Sequence, residues 1–77
     1  NPFNPKTKIR FDIPKKEFVS LKVYDILGNP VETLFEGELK AGSYEVDFDA
    51  AHLSSGVYFY CFKTSILTET RKMMVIK

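Results

Sequence analysis

The sequence predicts an all-β protein, an antiparallel sandwich of about seven short strands without a disulfide. Turn-forming Gly, Pro, Asn and Ser residues recur at short intervals, and the runs between them have the length of strands rather than helices. Three of these runs alternate apolar and polar side chains, which is typical of strands that bury one face. The chain has a single Cys, which excludes an internal disulfide.

The three alternating runs cover residues 7–12, 18–24 and 43–49. Each has one apolar face, which we expect to point into the core because successive side chains of a strand point to opposite faces. The predicted inward residues are Ile9 and Phe11, then Val19, Leu21 and Val23, and finally Tyr44, Val46 and Phe48.

Two later runs do not alternate. Residues 57–62 are apolar on both faces, which predicts a central strand whose second face is also partly covered. Residues 68–76 begin polar and end in four consecutive apolar residues. Their inward face therefore stays open, and a bulge or a crossing between the sheets would resolve it.

Residues 31–35 form a weaker predicted strand, because Val31, Thr33 and Phe35 compete with Leu34 for the inside. No segment shows the sustained 3.6-residue period of a helix. Six or seven short strands in so short a chain favour an immunoglobulin-like sandwich. The Cys–Trp–Cys pattern of antibody domains is absent, so we expect a relative without the disulfide.

Length and charge restrict the function. With 77 residues, we expect residues 1–77 to form one domain. The net charge of +1 gives no reason to expect a nucleic-acid partner, and no apolar run is long enough for membrane insertion. The opening Asn-Pro-Phe-Asn-Pro, without a leader pattern, indicates a fragment of a longer protein.

The residues offer little chemistry for catalysis. His52 is the only His and lies in a predicted loop, too close along the chain to Ser54 and Ser55 to face them across a cleft. No phosphate-binding loop or metal-ligand spacing is present in the sequence. We therefore expect neither an enzyme nor a bound cofactor, and we assign His52 to an exposed loop.

Two further features have alternative interpretations. Glu45, Asp47 and Asp49 follow one strand face, where carboxylates could bind calcium, although a solvated strand face is the simpler interpretation. Cys61 lies in the most apolar run, where a free thiol usually packs as a small hydrophobic side chain. The sequence does not establish a role for it.

Five motifs in the same order resemble a known family. They are Asn-Pro-Phe-Asn-Pro at 1–5, Val-Tyr-Asp-Ile-Leu-Gly at 23–28, Ala-Gly at 41–42, Leu-Ser-Ser-Gly-Val-Tyr at 53–58, and the segment 68–77. Over nearly all of its length the chain is similar to the type A C-terminal sorting domains of the bacterial type IX secretion system. The immunoglobulin-like module of flagellar hook-capping proteins is also similar, but it tends to have a longer insertion before the Ser-Gly-Val-Tyr motif.

The resemblance implies a non-enzymatic targeting module for a covalently linked N-terminal cargo domain. The implied partners are the type IX machinery, namely its outer-membrane translocon and a cell-surface sortase-like protease. The implied location is the periplasm in transit, then the cell surface or the medium. In such domains the secretion machinery reads the C-terminal segment, and the matching positions here are Gly56, Val57, Tyr58, Lys72, Met73, Val75 and Lys77.

A second hypothesis is an immunoglobulin-like spacer or a carbohydrate- or protein-binding module beside a secreted hydrolase. A sugar platform needs exposed aromatic side chains, and Tyr58, Tyr60 and Phe62 lie on one face of their predicted strand. If these three side chains are buried, the platform is excluded.

Overall fold

The structure, a computed structural model, describes residues 6–76. The strands in this part of the chain are β1 (Lys6–Ile13), β2 (Glu17–Asp25), β3 (Pro30–Leu39), β4 (Gly42–Asp49), β5 (Gly56–Lys63) and β6 (Thr68–Val75). The described residues thus form six strands where about seven were expected, and each run that the sequence singled out becomes one strand. None of these residues forms a helix that is long and apolar enough to cross a membrane.

The strands form two antiparallel sheets. In one, β1 pairs with β4 along eight residues; in the other, the strand order is β3-β2-β5-β6. The inner faces of the two sheets share one hydrophobic core, in which the Phe11 and Phe62 rings lie 4.9 Å apart between centroids. This arrangement confirms the predicted all-β sandwich.

Strand β2 occupies the centre of the core. Val19, Leu21 and Val23 are fully buried because β2 has a neighbour on each side and its inner face packs against the two-stranded sheet. The alternating pattern predicted these three residues to point inward, and the structure confirms it. Burying side chains of this size contributes about 2 kcal/mol each relative to leaving them in water.

Two irregularities in β3 explain its ambiguous pattern. Leu21 lies opposite Phe35 and Lys22 opposite Thr33, so Leu34 is an extra residue in the ladder, and a second shift occurs at Val31. Each extra residue reverses the alternation of the strand. Val31, Leu34 and Phe35 consequently all pack against the core, which regular alternation would not permit.

The positions of β5 and β6 explain the two sequence runs that do not alternate. Strand β5 lies between β2 and β6, which confirms the prediction of a central strand. In β6, Val75 is buried and Met73 half-buried, whereas Met74 and Ile76, the residue after the strand, are 63% and 58% exposed. The inward face that the sequence left open therefore carries Met73 and Val75.

Candidate functional site

The β5–β6 hairpin contains the predicted recognition residues. Antiparallel pairing places Gly56 opposite Val75 and Tyr58 opposite Met73, so residues far apart in sequence meet at one end of the ladder. Val57 lies opposite Met74, and Lys72 lies opposite Phe59. Lys77, the remaining predicted residue, lies outside the described residues.

Burial divides this set into two groups. Tyr58 and Val75 are 8% and 5% exposed and belong to the core, so their side chains are largely inaccessible to a partner in the folded domain. Lys72 is exposed on the outer face of β6. Met74 and Ile76 share that exposure but were absent from the predicted set. Their alternation with Met73 and Val75 was the available signal, but it did not say which pair points outward.

Tyr58 also forms a hydrogen bond to the β4–β5 connection, which leads into the hairpin. Its hydroxyl donates a hydrogen bond to the carbonyl oxygen of Ser54 at 2.8 Å, and a Cβ added at Gly56 would lie 3.9 Å from its ring. The same arrangement occurs at the start of β4, where the Tyr44 hydroxyl donates to the Lys40 carbonyl. These two tyrosine anchors were not among the predicted features, although the repeated Gly-x-Tyr spacing marks both.

The β2–β3 turn is organised by Asp25. Its Oδ1 accepts hydrogen bonds from the amides of Leu27 and Asn29, each at 2.9 Å, which is how an aspartate side chain caps a turn. The bond from Asn29, with those from Leu27 and Gly28, lowers the pKa of the Asp25 carboxyl because it stabilises the charged form. Gly28 has φ +88°, a conformation that glycine adopts without strain.

Among residues 6–76, strand β6 is an edge strand of the four-stranded sheet, with β5 as its neighbour. An edge strand presents backbone N–H and C=O groups that can pair with another chain. Arg71 and Lys72 follow each other in β6 and point to opposite faces of the sheet. The hairpin thus combines an available strand edge with positive charge and with the exposed apolar residues Met74 and Ile76.

A comparison with protein families matches residues 1–77 to the secretion system C-terminal sorting domain. The match covers the whole chain. The chain belongs to this family. Comparisons with curated proteins and with solved structures each found no match.

Membership of the sorting-domain family confirms the resemblance to type IX sorting domains found in the motifs. The family is a targeting module rather than a catalytic one, and its members carry a C-terminal signal for type IX secretion. Such a signal implies export to the cell surface or the medium.

The acidic residues considered for calcium have cationic partners in the sorting domain. Lys8 Nζ lies 2.9 Å from Asp47 Oδ1, and Arg10 Nε lies 2.7 Å from Glu45 Oε2. Asp49 accepts a hydrogen bond from the amide of Ala51 at 2.9 Å. Within residues 6–76 no group of three potential ligands is positioned for a metal. These contacts support the solvated strand face.

Two of the three aromatic rings proposed as a sugar-binding platform are buried. Tyr58 and Phe62 are each 8% exposed, and Tyr60 packs against the core at partial exposure. All three side chains lie on the inner face of β5, which faces the two-stranded sheet. The condition set for this hypothesis, that the three rings be buried, is met for Tyr58 and Phe62.

The single His and the single Cys lie in different elements, one in a connection and one in a strand. His52 is exposed in the β4–β5 connection, as predicted, and its Nε2 lies 3.1 Å from Glu32 Oε1, an oxygen that is itself buried. Cys61 is half-buried and free, and lies opposite Lys22 on one side and Thr70 on the other. Cys61 therefore faces outward from β5, whereas the sequence favoured a position in the core.

Proposed function

We propose that residues 1–77 are one sorting module that directs a covalently linked N-terminal cargo across the outer membrane through the type IX secretion system. The observation that carries the proposal is the family match over the whole chain. The cargo would pass through the periplasm before it reaches the cell surface or the medium.

We infer that the outer-membrane translocon contacts the exposed part of the β5–β6 hairpin. The buried residues Tyr58 and Val75 would maintain the hairpin, and the contact surface would be Lys72 with Met74 and Ile76. An edge strand allows a receptor to add backbone hydrogen bonds to these side-chain contacts. A cell-surface sortase-like protease would then act on the delivered protein.

The test is export of a reporter that carries residues 1–77 at its C-terminus, in a bacterium with a working type IX system and in a mutant that lacks it. We expect the reporter outside the first strain and in the periplasm of the second. A folded reporter trapped in both strains would contradict the proposal and favour the immunoglobulin-like spacer.

Point variants locate the signal better than truncation, because removing residues 72–77 also removes the buried Val75. We expect Lys72→Glu combined with Met74→Asp to block export while the circular dichroism spectrum stays unchanged. Lys15→Glu, an exposed charge reversal between β1 and β2, is the matched control. Normal export of the double variant would exclude this surface.

A further inference from the structure

Strand β6 has one paired edge and one free edge among residues 6–76. Pairing with β5 uses about half of its backbone N–H and C=O groups, because successive residues of a strand direct these groups to opposite edges. Glu69 and Arg71 point to the inner side of the sheet, and Thr70 between them points outward. The free edge therefore carries an acidic and a basic side chain on one face, on either side of Thr70.

We propose that this free edge pairs with β6 of a second copy of the chain, antiparallel and with Thr70 opposite Thr70. A two-fold axis through Thr70 relates the copies, so every contact away from the axis occurs twice. In this register Glu69 of each copy lies directly opposite Arg71 of the other. The four-stranded sheets of the two copies join into one continuous sheet.

The charges along β6 select this register. Residues opposite each other in an antiparallel pair share a face and direct their backbone groups alike, so the axis passes through a residue rather than between two. An axis through Glu69 would place two carboxylates opposite each other, and an axis through Arg71 or Lys72 would do the same with two cations. Opposite charges stabilise an antiparallel pair and like charges destabilise it. Thr70 is therefore the favoured centre.

The ion pair within one copy leaves both side chains available for the second copy. The closest charged atoms of Glu69 and Arg71 are 3.9 Å apart, and the two side chains are 52% and 65% exposed. An exposed pair of this kind contributes little to stability. In the dimer each of the two gains a directly opposite partner, whereas Lys72 faces the uncharged Thr68 and meets no like charge.

The same register covers apolar side chains that are exposed in a single copy. Counting outward from Thr70, Met73 of one copy faces Leu67 of the other, and Met74 lies beside Ile66. Leu67, Met74 and Ile66 are 46%, 63% and 75% exposed. Their burial favours association without specifying a register, because the hydrophobic effect has no direction. The charges then determine which register forms.

A paired β6 edge is closed to a receptor that adds a strand there. Under the proposed function, export through this edge therefore requires the single chain, and the dimer is a form in which the signal is covered. This consequence rests on the proposed function, whereas the dimer itself does not.

Charge reversals test the register in the 77-residue chain. Glu69→Arg and Arg71→Glu each place like charges opposite each other at both contacts, so each should weaken dimerisation about tenfold or more. An equimolar mixture of the two variants should form a heterodimer, because every facing pair is then opposite in charge. The variant with both substitutions should dimerise like the wild type. Sedimentation equilibrium over a range of protein concentrations measures these affinities.

Lys72→Glu is the matched control for Arg71→Glu, because it changes the net charge equally but lies opposite Thr68 of the second copy. We expect it to leave dimerisation unchanged. Recovery of association in the mixture, or in the double variant, shows that the single substitutions have not unfolded the chain.

Disulfide trapping tests the position of the axis. Cα atoms that face each other in an antiparallel pair are about 4.5–5.5 Å apart, a distance that a disulfide spans. Thr70→Cys should therefore cross-link two copies on mild oxidation. Thr68→Cys should not, because the two copies of residue 68 are about 13 Å apart in this register. Both variants also carry Cys61→Ser, since Cys61 lies opposite Thr70 within the hairpin and would form an internal bridge.

Several results would overturn the proposal. They are a wild-type chain that stays monomeric at every concentration, single reversals that dimerise as well as the wild type, or a mixture that forms no heterodimer. Cross-linking of Thr68→Cys as fast as that of Thr70→Cys would exclude the register. The measurements need no secretion system, so their outcome is independent of the export test.

Discussion

Glu17, at the start of β2, accepts two hydrogen bonds from Ser65 in the β5–β6 turn. The Ser65 hydroxyl lies 2.6 Å and its amide 3.2 Å from Glu17 Oε1. Glu17 is 6% exposed and is the one buried charged residue among those that the structure describes. The contact therefore fixes the turn of the final hairpin to the central strand of the core.

We expect Glu17→Ala to lower the free energy of unfolding by about 2 kcal/mol, because two hydrogen bonds to a charged acceptor are lost. Glu17→Gln keeps one acceptor oxygen and should lower the free energy of unfolding by less than Glu17→Ala does. Urea unfolding measures both values. Glu38→Ala is the control, since its partner Lys16 is exposed and 3.7 Å away. If Glu17→Ala and Glu38→Ala lowered the free energy of unfolding by the same small amount, the structural role of the Glu17–Ser65 contact would be contradicted.

The hydrogen bonds of the two tyrosine anchors should contribute unequally to the free energy of unfolding. Tyr58→Phe removes the part-buried bond to Ser54 and should cost about 1 kcal/mol. Tyr44→Phe should cost less, because the exposed Lys40 carbonyl can bond to water instead. Thermal and urea unfolding of the two variants measure the difference. A larger loss for Tyr44→Phe would show that burial does not control these bonds.

Backbone conformation determines the cost of substitution at Gly28. An added Cβ would meet no atom within 4 Å, but φ is +88°. We expect Gly28→Ala to destabilise the fold by about 1–2 kcal/mol through backbone strain alone. Gly28→Asn should be milder, since Asn tolerates positive φ better. Equal stability of Gly28→Ala and the wild type would show that the turn relaxes to another conformation.

The stability of the sorting domain should depend on Asp25 in acid. Hydrogen bonds from Asn29 and Leu27 lower the pKa of this carboxyl below its ordinary value of 3.8. Because the pKa of Asp25 is lower in the folded state, the stability that its ionised carboxyl contributes is complete above the ordinary pKa. This stability is lost as the pH falls through the folded-state pKa. We expect Asp25→Asn to flatten the pH dependence of stability below about pH 4.

Carbon-13 NMR of the Asp25 carboxyl measures its titration directly. Titration of Asp25 at or above its ordinary value would contradict the hydrogen bonding in the β2–β3 turn.

The division of the proposed recognition segment into buried and exposed residues lies beyond sequence reasoning. The motif resemblance located the final hairpin, but it grouped the buried Tyr58 and Val75 with the exposed Lys72. It also omitted Met74 and Ile76, because a run of consecutive apolar residues carries no period that distinguishes its two faces. Only the packing of β6 against the core separates structural from accessible residues.

The sequence by itself determined what depends on near neighbours. Alternation along β2 specified that Val19, Leu21 and Val23 point inward, and the recurring turn-forming residues marked where strands end. The tertiary structure decided what depends on pairing between distant segments. It placed Lys8 beside Asp47, which accounts for the acidic strand face, and paired β1 with β4 into a separate sheet. Local periodicity sets which face of a strand is apolar, whereas the partner of each face follows from how the whole chain folds.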